Sequence, residues 1–341
     1  MSVRLGIMGF GKLGRNMFRI AHDQPDIVFA AASDLADVKT MAYLLRSSTV
    51  EGPFDSPVHT ESHFIVTDNQ RMRMVQGTAP GHVPWDVLGV DIVIEATGVF
   101  RTREQLQKHI DAGAKAVILS TPPVGMVDKL IINGVNDDEL TADDRIISNG
   151  SSSCHALALV LKLLNEKVGV KRATMTTVHA YTSDQQLSDT ASDSLRWSRS
   201  AAQNIIPNSS WAAGAVMELL PELKGKVNGM ALNVPVAAGS NIDLVVELDK
   251  PLTAKEYNAI FAEAADGEYN GLLGYTDEPI VSSDVIGNSC SGVLDAQATL
   301  SLDNGMVKSL IWYDNGWAYA YRLLETARRV AGLLAGKEVT A

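Results

Sequence analysis

The chain has 341 residues, 46% of them hydrophobic and 20% charged, with a formal net charge of -11. That length and balance describe a globular protein of about two domains, each able to bury a full core. They exclude nucleic acid as a main partner, because phosphate binding rests on clustered Lys and Arg and no basic run is present.

The chain begins with Val3–Gly9, which reads as an apolar strand, and Lys12–His22, which reads as an amphipathic helix. Between them lies Gly9-x-Gly11-x-x-Gly14, a glycine-rich turn that follows a strand, opens a helix, and has Asp34 twenty positions after Gly14. Each part has a physical task in dinucleotide binding. Gly9 allows the tight turn, Gly11 lets the backbone approach a pyrophosphate, and Gly14 permits close helix packing. The helix N-terminus faces the phosphates, and Asp34 can accept from ribose hydroxyls while repelling a 2′-phosphate, so NAD is expected over NADP.

A second strand is expected over Asp26–Asp34, further strands over Val90–Ala96 and Ala116–Ser120, and a helix over Thr102–Ala112 between them. This alternation predicts a Rossmann-type, doubly wound parallel sheet domain over residues 1–150, in an α/β chain. Beyond Gly150 the pattern changes. One helix, Ser152–Val168, precedes the long β-rich segments Ala173–Ala180, Asn228–Val234, Ile242–Leu248 and Met306–Tyr313. These predict an α+β catalytic domain over 151–316 with a mostly antiparallel or mixed sheet. The stretch 183–213 is long, polar and poorly periodic, and reads as a functional loop. A last helix over about 317–337, with its clearest periodicity at Trp317–Leu334, is expected to pack back onto the first domain. The two cysteines, Cys154 and Cys290, show neither metal-ligand spacing nor disulfide density, so no metal and a reducing compartment are expected. Met1-Ser2-Val3-Arg4 runs into the first strand without a signal-peptide core, and no uninterrupted apolar stretch suggests a membrane span. A cytoplasmic location without membrane partners is therefore expected.

Several segments together resemble the phosphorylating glyceraldehyde-3-phosphate dehydrogenases over nearly the whole chain. They are Gly6-Ile7-Met8-Gly9-Phe10-Gly11, Glu95-Ala96-Thr97-Gly98-Val99-Phe100, Ser148-Asn149-Gly150-Ser151-Ser152-Ser153-Cys154-His155, Thr176-Thr177-Val178-His179-Ala180-Tyr181-Thr182 and Trp312-Tyr313-Asp314-Asn315. The resemblance implies an NAD-dependent aldehyde dehydrogenase of glycolysis, acting on a small aldehyde with inorganic phosphate as second substrate. It also implies a homotetramer in which the 183–213 loop reaches a neighbouring subunit. By the same resemblance Lys12, Leu13, Thr97 and Ser120 line the cofactor, with Asn315 at the nicotinamide carboxamide and Tyr319 nearby.

The family's reactive cysteine falls on Ser152, and its base on His179. A thiol has a reference pKa of about 8.5 and supplies a thiolate, whereas a serine hydroxyl needs a base before it attacks. Cys154, two helix positions on, points to a different face and reads as a packing residue. His155 returns close to the Ser152 face, as a second base or a packing group. For the anion pockets the resemblance assigns Thr182, Asp184, Arg199 and the hydroxyls of Ser151, Ser153 and Ser210. The arginine that grips substrate phosphate falls on Asn233, and a glycine beside Ser210 falls on Trp211. The family's Asn in the glycine turn is Met8, the Arg after its second glycine is Lys12, and the Glu after Asn315 is Gly316.

Three accounts stay open: a dehydrogenase carrying a Cys-to-Ser exchange, a divergent paralogue with another aldehyde substrate, and a catalytically impaired NAD-binding paralogue with a regulatory or interaction role. A single exchange explains Ser152 but not Asn233, Trp211, Met8 and Gly316 together.

Overall fold

The computed structural model describes residues 2–336 and divides into two compact units. One runs up to Ser151 and resumes at Ala320, and the other is Ser152–Tyr319.

The first unit is built on a nine-stranded sheet. Its parallel core runs in the order Ile146–Ser148, Ala116–Leu119, Ile92–Glu95, Val3–Met8, Ile27–Ser33, Arg71–Val75. Phe64–Val66 and His59–Glu61 extend one edge antiparallel, and Lys129–Leu130 pairs parallel at the other. Apart from Arg4 and Glu95, the central strands Val3–Met8, Ile92–Glu95 and Ala116–Leu119 are apolar runs, as expected where both faces of a sheet are covered. Strand order reverses between Val3–Met8 and Ile92–Glu95, which end together, with Met8 paired to Glu95. A crevice at the C-terminal ends of strands at such a switch point is where α/β sheets receive nucleotides. From Ala320 onward the last helix, Trp317–Leu334, belongs to this unit: Thr326 bonds Asn133, and Arg329 pairs with Asp137 at 2.9 Å.

The second unit has a seven-stranded mixed sheet in the order Ile206–Ser209, Val227–Val234, Val170–Ala180, Ser240–Leu248, Met306–Tyr313, Gly292–Ser301, Leu273–Thr276. Two of its six pairings are parallel, Val170–Ala180 with Val227–Val234 and Leu273–Thr276 with Gly292–Ser301. Helices Ser152–Lys167, Ala212–Leu219 and Ala254–Asp266 pack on this sheet.

Two expectations need correction. The stretch 183–213 is not a loop throughout, because Ile206–Ser209 pairs antiparallel with Met230–Asn233 and a helix starts at Ala212. Pro207, Asn208 and Ser209 masked that short edge strand, in which only Ile206 is buried. The last helix stops at Leu334, short of 337, where Ala335 and Gly336 turn; position 337 itself lies outside the described residues. Helices Val38–Arg46, Ala212–Leu219 and Ala254–Asp266 were not foreseen. No helix among the described residues is long and apolar enough to cross a membrane.

Candidate functional site

The first unit carries the glycine turn and the candidate cofactor residues around it. Gly9 has φ +94°, and a Cβ there would stand 2.8 Å from the Thr97 amide nitrogen, so only glycine fits. A Cβ on Gly14 would stand 2.9 Å from the Gly9 carbonyl oxygen, which is the close helix packing the turn requires. Gly11 is different: a Cβ there would meet nothing within 4 Å. Gly11 also N-caps the helix Lys12–Ala21 with no side-chain cap and no acidic residue in the first turn. Open space therefore lies against the amides of a helix N-terminus, the kind of place that suits an anion.

Asp34 holds this turn in place. Its Oδ2 accepts from the Phe10 amide at 2.9 Å and its Oδ1 from the Ala36 amide at 3.2 Å. Carboxylate oxygens have further lone pairs, so the ribose role remains chemically open. Leu35 beside it is 77% exposed. Lys12 sits 3.6 Å from Glu51 Oε1, which draws its ammonium toward that carboxylate, and Leu13 is half-buried. Thr97 and Ser120 both bond Glu95: Thr97 through its amide and hydroxyl to the carboxylate, Ser120 through its amide and hydroxyl to the carbonyl.

The second unit carries the candidate chemical residues from Ser152 onward. Ser152 opens the helix Ser152–Lys167, two residues after Gly150 at φ +67°, and Ser151, Ser152 and Ser153 are all half-buried. Upstream, the fully buried Asn149 anchors the turn by donating to the Ile131 carbonyl at 2.9 Å and to Thr326 at 3.1 Å. Cys154 is fully buried, and burial, reinforced by Glu218, pushes its thiol far above the ordinary range. It is an inert packing residue. His155 is also buried, with its ring edge-on to Tyr319 at 5.8 Å between centroids. Burial raises the Tyr319 hydroxyl well above its usual pKa.

His179 ends the strand Val170–Ala180, and its Nδ1 lies 2.6 Å from the Ala180 carbonyl oxygen. A carbonyl only accepts, so Nδ1 carries the proton and Nε2 is the basic nitrogen. Desolvation lowers the His179 pKa against smaller opposing effects of that hydrogen bond and of Asp184, which keeps the imidazole neutral. The Ala180 amide in turn donates to Ser240 Oγ at 3.0 Å, and that hydroxyl donates to Asn315 Oδ1 at 3.2 Å. The backbone of Ala180 thus orients His179 through its carbonyl and, by way of Ser240, Asn315 through its amide. Behind Asn315, buried Asp314 accepts from the amides of Gly316 and Trp317, each at 2.8 Å, and of Gly287 at 2.9 Å.

Strand register sets Asn233 beside His179 on the neighbouring parallel strand, with its side chain buried. The other anion-pocket candidates bond within their own segments. Thr182 donates its hydroxyl to Asp184 and its amide to Gln185 at 3.3 Å, while Arg199 Nε pairs with Asp189 at 3.2 Å. Ser210 follows the strand Ile206–Ser209, and Trp211 takes the N-cap position of Ala212–Leu219 with about a third of its surface open (36%). Sequence reading passed over Glu95, Asp314, Ser240 and Asn149 as working residues. Glu95 carried a readable signal, a lone carboxylate ending an apolar strand, and Asp314 a weaker one, a carboxylate directly after the strand Met306–Tyr313.

Comparison with known proteins agrees over most of the length. The sequence model described as "Glyceraldehyde 3-phosphate dehydrogenase, NAD binding domain" matches residues 3–103, and that described as "Glyceraldehyde 3-phosphate dehydrogenase, C-terminal domain" matches 151–315. The chain is 43% identical over 332 residues to glyceraldehyde-3-phosphate dehydrogenase 1 of Bacillus subtilis, covering 97% of this chain and 99% of that protein. The corresponding enzyme of Geobacillus stearothermophilus gives the same identity and coverage, and that of Borreliella burgdorferi is 42% identical over 335 residues, with 96% and 99% covered.

Proposed function

The chain belongs to the glyceraldehyde 3-phosphate dehydrogenase family and carries that family's NAD binding domain, and on this premise we propose that it is an NAD-dependent aldehyde oxidoreductase of that type with Ser152 in the nucleophile position and His179 as the base, and that with serine at this position it oxidises glyceraldehyde 3-phosphate poorly or not at all. The observation that carries the proposal is the His179 Nδ1 contact to the Ala180 carbonyl, because it leaves a neutral, basic Nε2. Serine requires such a base: its hydroxyl stays protonated until a neighbour takes the proton. NAD, when bound, supplies the hydride acceptor. Asn315, oriented through Ser240, is assigned to the nicotinamide carboxamide, and Asp34 to the adenosine ribose, which favours NAD over NADP. Ser151, Ser153, Thr182, Asp184, Arg199 and Ser210 are assigned to the substrate and inorganic phosphate.

Asn233 and Arg199 favour a second reading within the same chemistry. Beside His179 stands a neutral amide rather than a guanidinium, and Arg199 is engaged by Asp189. Recognition of a phosphate dianion rests on bidentate guanidinium contacts that an amide cannot replace. This reading makes the protein a dehydrogenase for a different aldehyde, or an NAD-binding paralogue with impaired catalysis.

The test is oxidation of glyceraldehyde 3-phosphate by the chain and by Ser152→Cys, each with and without Asn233→Arg and Trp211→Gly. Strong activity from Ser152→Cys alone supports the glycolytic substrate, and activity only in the combined variant supports the second reading. Little or no oxidation of glyceraldehyde 3-phosphate is expected of the unaltered chain; high activity there would require a nucleophile other than Ser152 and would overturn this reading. The assembly proposed is a cytoplasmic homotetramer built through the 183–213 segment; light scattering should give about four times the 36.6 kDa chain mass, and a concentration-independent monomer would refute it.

A further inference from the structure

Glu95 is the one charged residue of the strand Ile92–Glu95, and its side chain is wholly inaccessible, as is that of His109. A buried carboxylate is tolerated only where donors surround it. Glu95 has three. Its Oε2 lies 3.0 Å from His109 Nε2, and its Oε1 accepts from the Thr97 amide at 2.9 Å and the Thr97 hydroxyl at 2.5 Å. The histidine's tautomer follows from the far side of its ring. Trp85 Nε1, which can only donate, lies 3.0 Å from His109 Nδ1, so Nδ1 accepts and Nε2 holds the proton facing Glu95.

The same residue reaches the next loop through its backbone. The Glu95 carbonyl accepts from the Ser120 amide at 3.0 Å and the Ser120 hydroxyl at 2.9 Å. Thr97 and Ser120 follow the adjacent parallel strands Ile92–Glu95 and Ala116–Leu119. The Thr97 amide nitrogen also lies where a Cβ on Gly9 would come within 2.8 Å, so the Thr97 loop and the glycine turn pack directly against each other. A shift of Glu95 therefore displaces two loops and presses on a third.

We propose that Glu95 and His109 are positioning residues for the cofactor: the chain Trp85 to His109 to Glu95 sets Thr97, Ser120 and the glycine turn in the arrangement that receives NAD before NAD arrives. The proposal rests on the cofactor site described above. Its advantage is pre-organisation, since loops already bonded need no ordering when the ligand binds. His109 contributes a donor at Nε2, and that is separable from its bulk.

The test is NAD affinity by calorimetry on the full chain. His109→Leu should weaken NAD by about tenfold or more, the scale of one lost charge-assisted hydrogen bond. His109→Gln, which keeps an N–H donor near the Nε2 position, should stay within about threefold of the parent. A purely structural role would lower the thermal midpoint of both variants and leave the NAD affinity of the folded protein alike in both, which would overturn the proposal. Amide hydrogen exchange of the unaltered chain gives a measurement that needs no variant. The Thr97 and Ser120 amides should be protected without NAD and little changed by it; rapid exchange that NAD alone suppresses would show that the loops are ordered by the ligand and not by Glu95. Failure of the unaltered chain to bind NAD would count against the cofactor site itself rather than the relay.

Discussion

Asp34→Ala separates two tasks that one carboxylate performs. The first is local: Asp34 accepts from the Phe10 amide at 2.9 Å and so ties the glycine turn to the end of the strand Ile27–Ser33. The second bond, to Ala36 at 3.2 Å, is a short-range turn contact that does not reach the glycine loop. One charge-assisted bond therefore carries the loop task, worth about 1.5 kcal/mol or roughly tenfold in affinity. Its loss loosens the pyrophosphate cradle and should weaken NAD and NADP alike. The ribose task adds about another tenfold, but for NAD alone, because the carboxylate accepts from the 2′-hydroxyl and repels a 2′-phosphate. Together Asp34→Ala should weaken NAD by about a hundredfold and narrow the NAD-to-NADP ratio by about tenfold or more. Calorimetric titration with both nucleotides reads the two parts separately. Equal losses for both nucleotides would leave Asp34 only its loop role and refute the ribose assignment.

Other expectations follow from single contacts. Because desolvation holds the His179 pKa below its ordinary value of about 6.5, the neutral base persists into mildly acidic solution, and an NMR titration of the His179 imidazole should place its midpoint below that pH; a midpoint above it would contradict the lowered-pKa assignment. The same shift has a stability consequence: the unfolded chain takes up a proton that folded His179 resists, so its contribution is present above about pH 6.5 and is lost as pH falls toward the lowered folded value. Native protein treated with iodoacetamide should be labelled at half-buried Cys290 and not at Cys154 until denatured, as mass spectrometry can show. Asp314→Ala leaves three backbone amides without their acceptor and should cost about 3–5 kcal/mol in denaturant unfolding while weakening NAD through a displaced Asn315; a loss below about 1 kcal/mol would mean those bonds are replaceable.

Local signals made the parallel sheet readable. The run from Val3 to Met8 is followed at once by the glycine turn and an amphipathic helix, and each of the buried strands Ile92–Glu95 and Ala116–Leu119 is a short apolar stretch bounded by polar residues. Elements were missed where packing against the sheet decides and periodicity is weak. Ala212–Leu219 is a short helix of small apolar residues, and Ala254–Asp266 buries only Tyr257, Phe261 and Ala264. Thr253 and Glu256 do form a capping box there, a signal that pattern reading could have used. In the site, local motifs located His179, Asp34 and the glycine turn. Pairings between distant segments were hidden, because nothing in the one-dimensional order joins Ala180 to Ser240 and Asn315, or Trp85 to His109 and Glu95.

That division bears on how an inactive chain should be interpreted. The parts that position the base and the cofactor are complete as hydrogen-bonded assemblies: Ala180 orients His179, Ser240 orients Asn315, Asp314 supports Asn315, and Asp34 holds the glycine turn. Met8, Lys12 and Gly316 depart from the family pattern without breaking these assemblies, and the remaining departures fall at positions assigned above to the substrate: the hydroxyl of Ser152, the amide of Asn233 and the indole of Trp211. Misplacement of a scaffold costs orders of magnitude even when every chemical group is present, whereas a correct scaffold with the wrong groups is repaired by restoring those groups. Exchanges confined to positions 152, 233 and 211 should therefore raise activity toward the phosphorylated aldehyde without altering NAD affinity. A matching change in NAD affinity would place the defect in the scaffold, and the assignment of divergence to substrate contacts would fail.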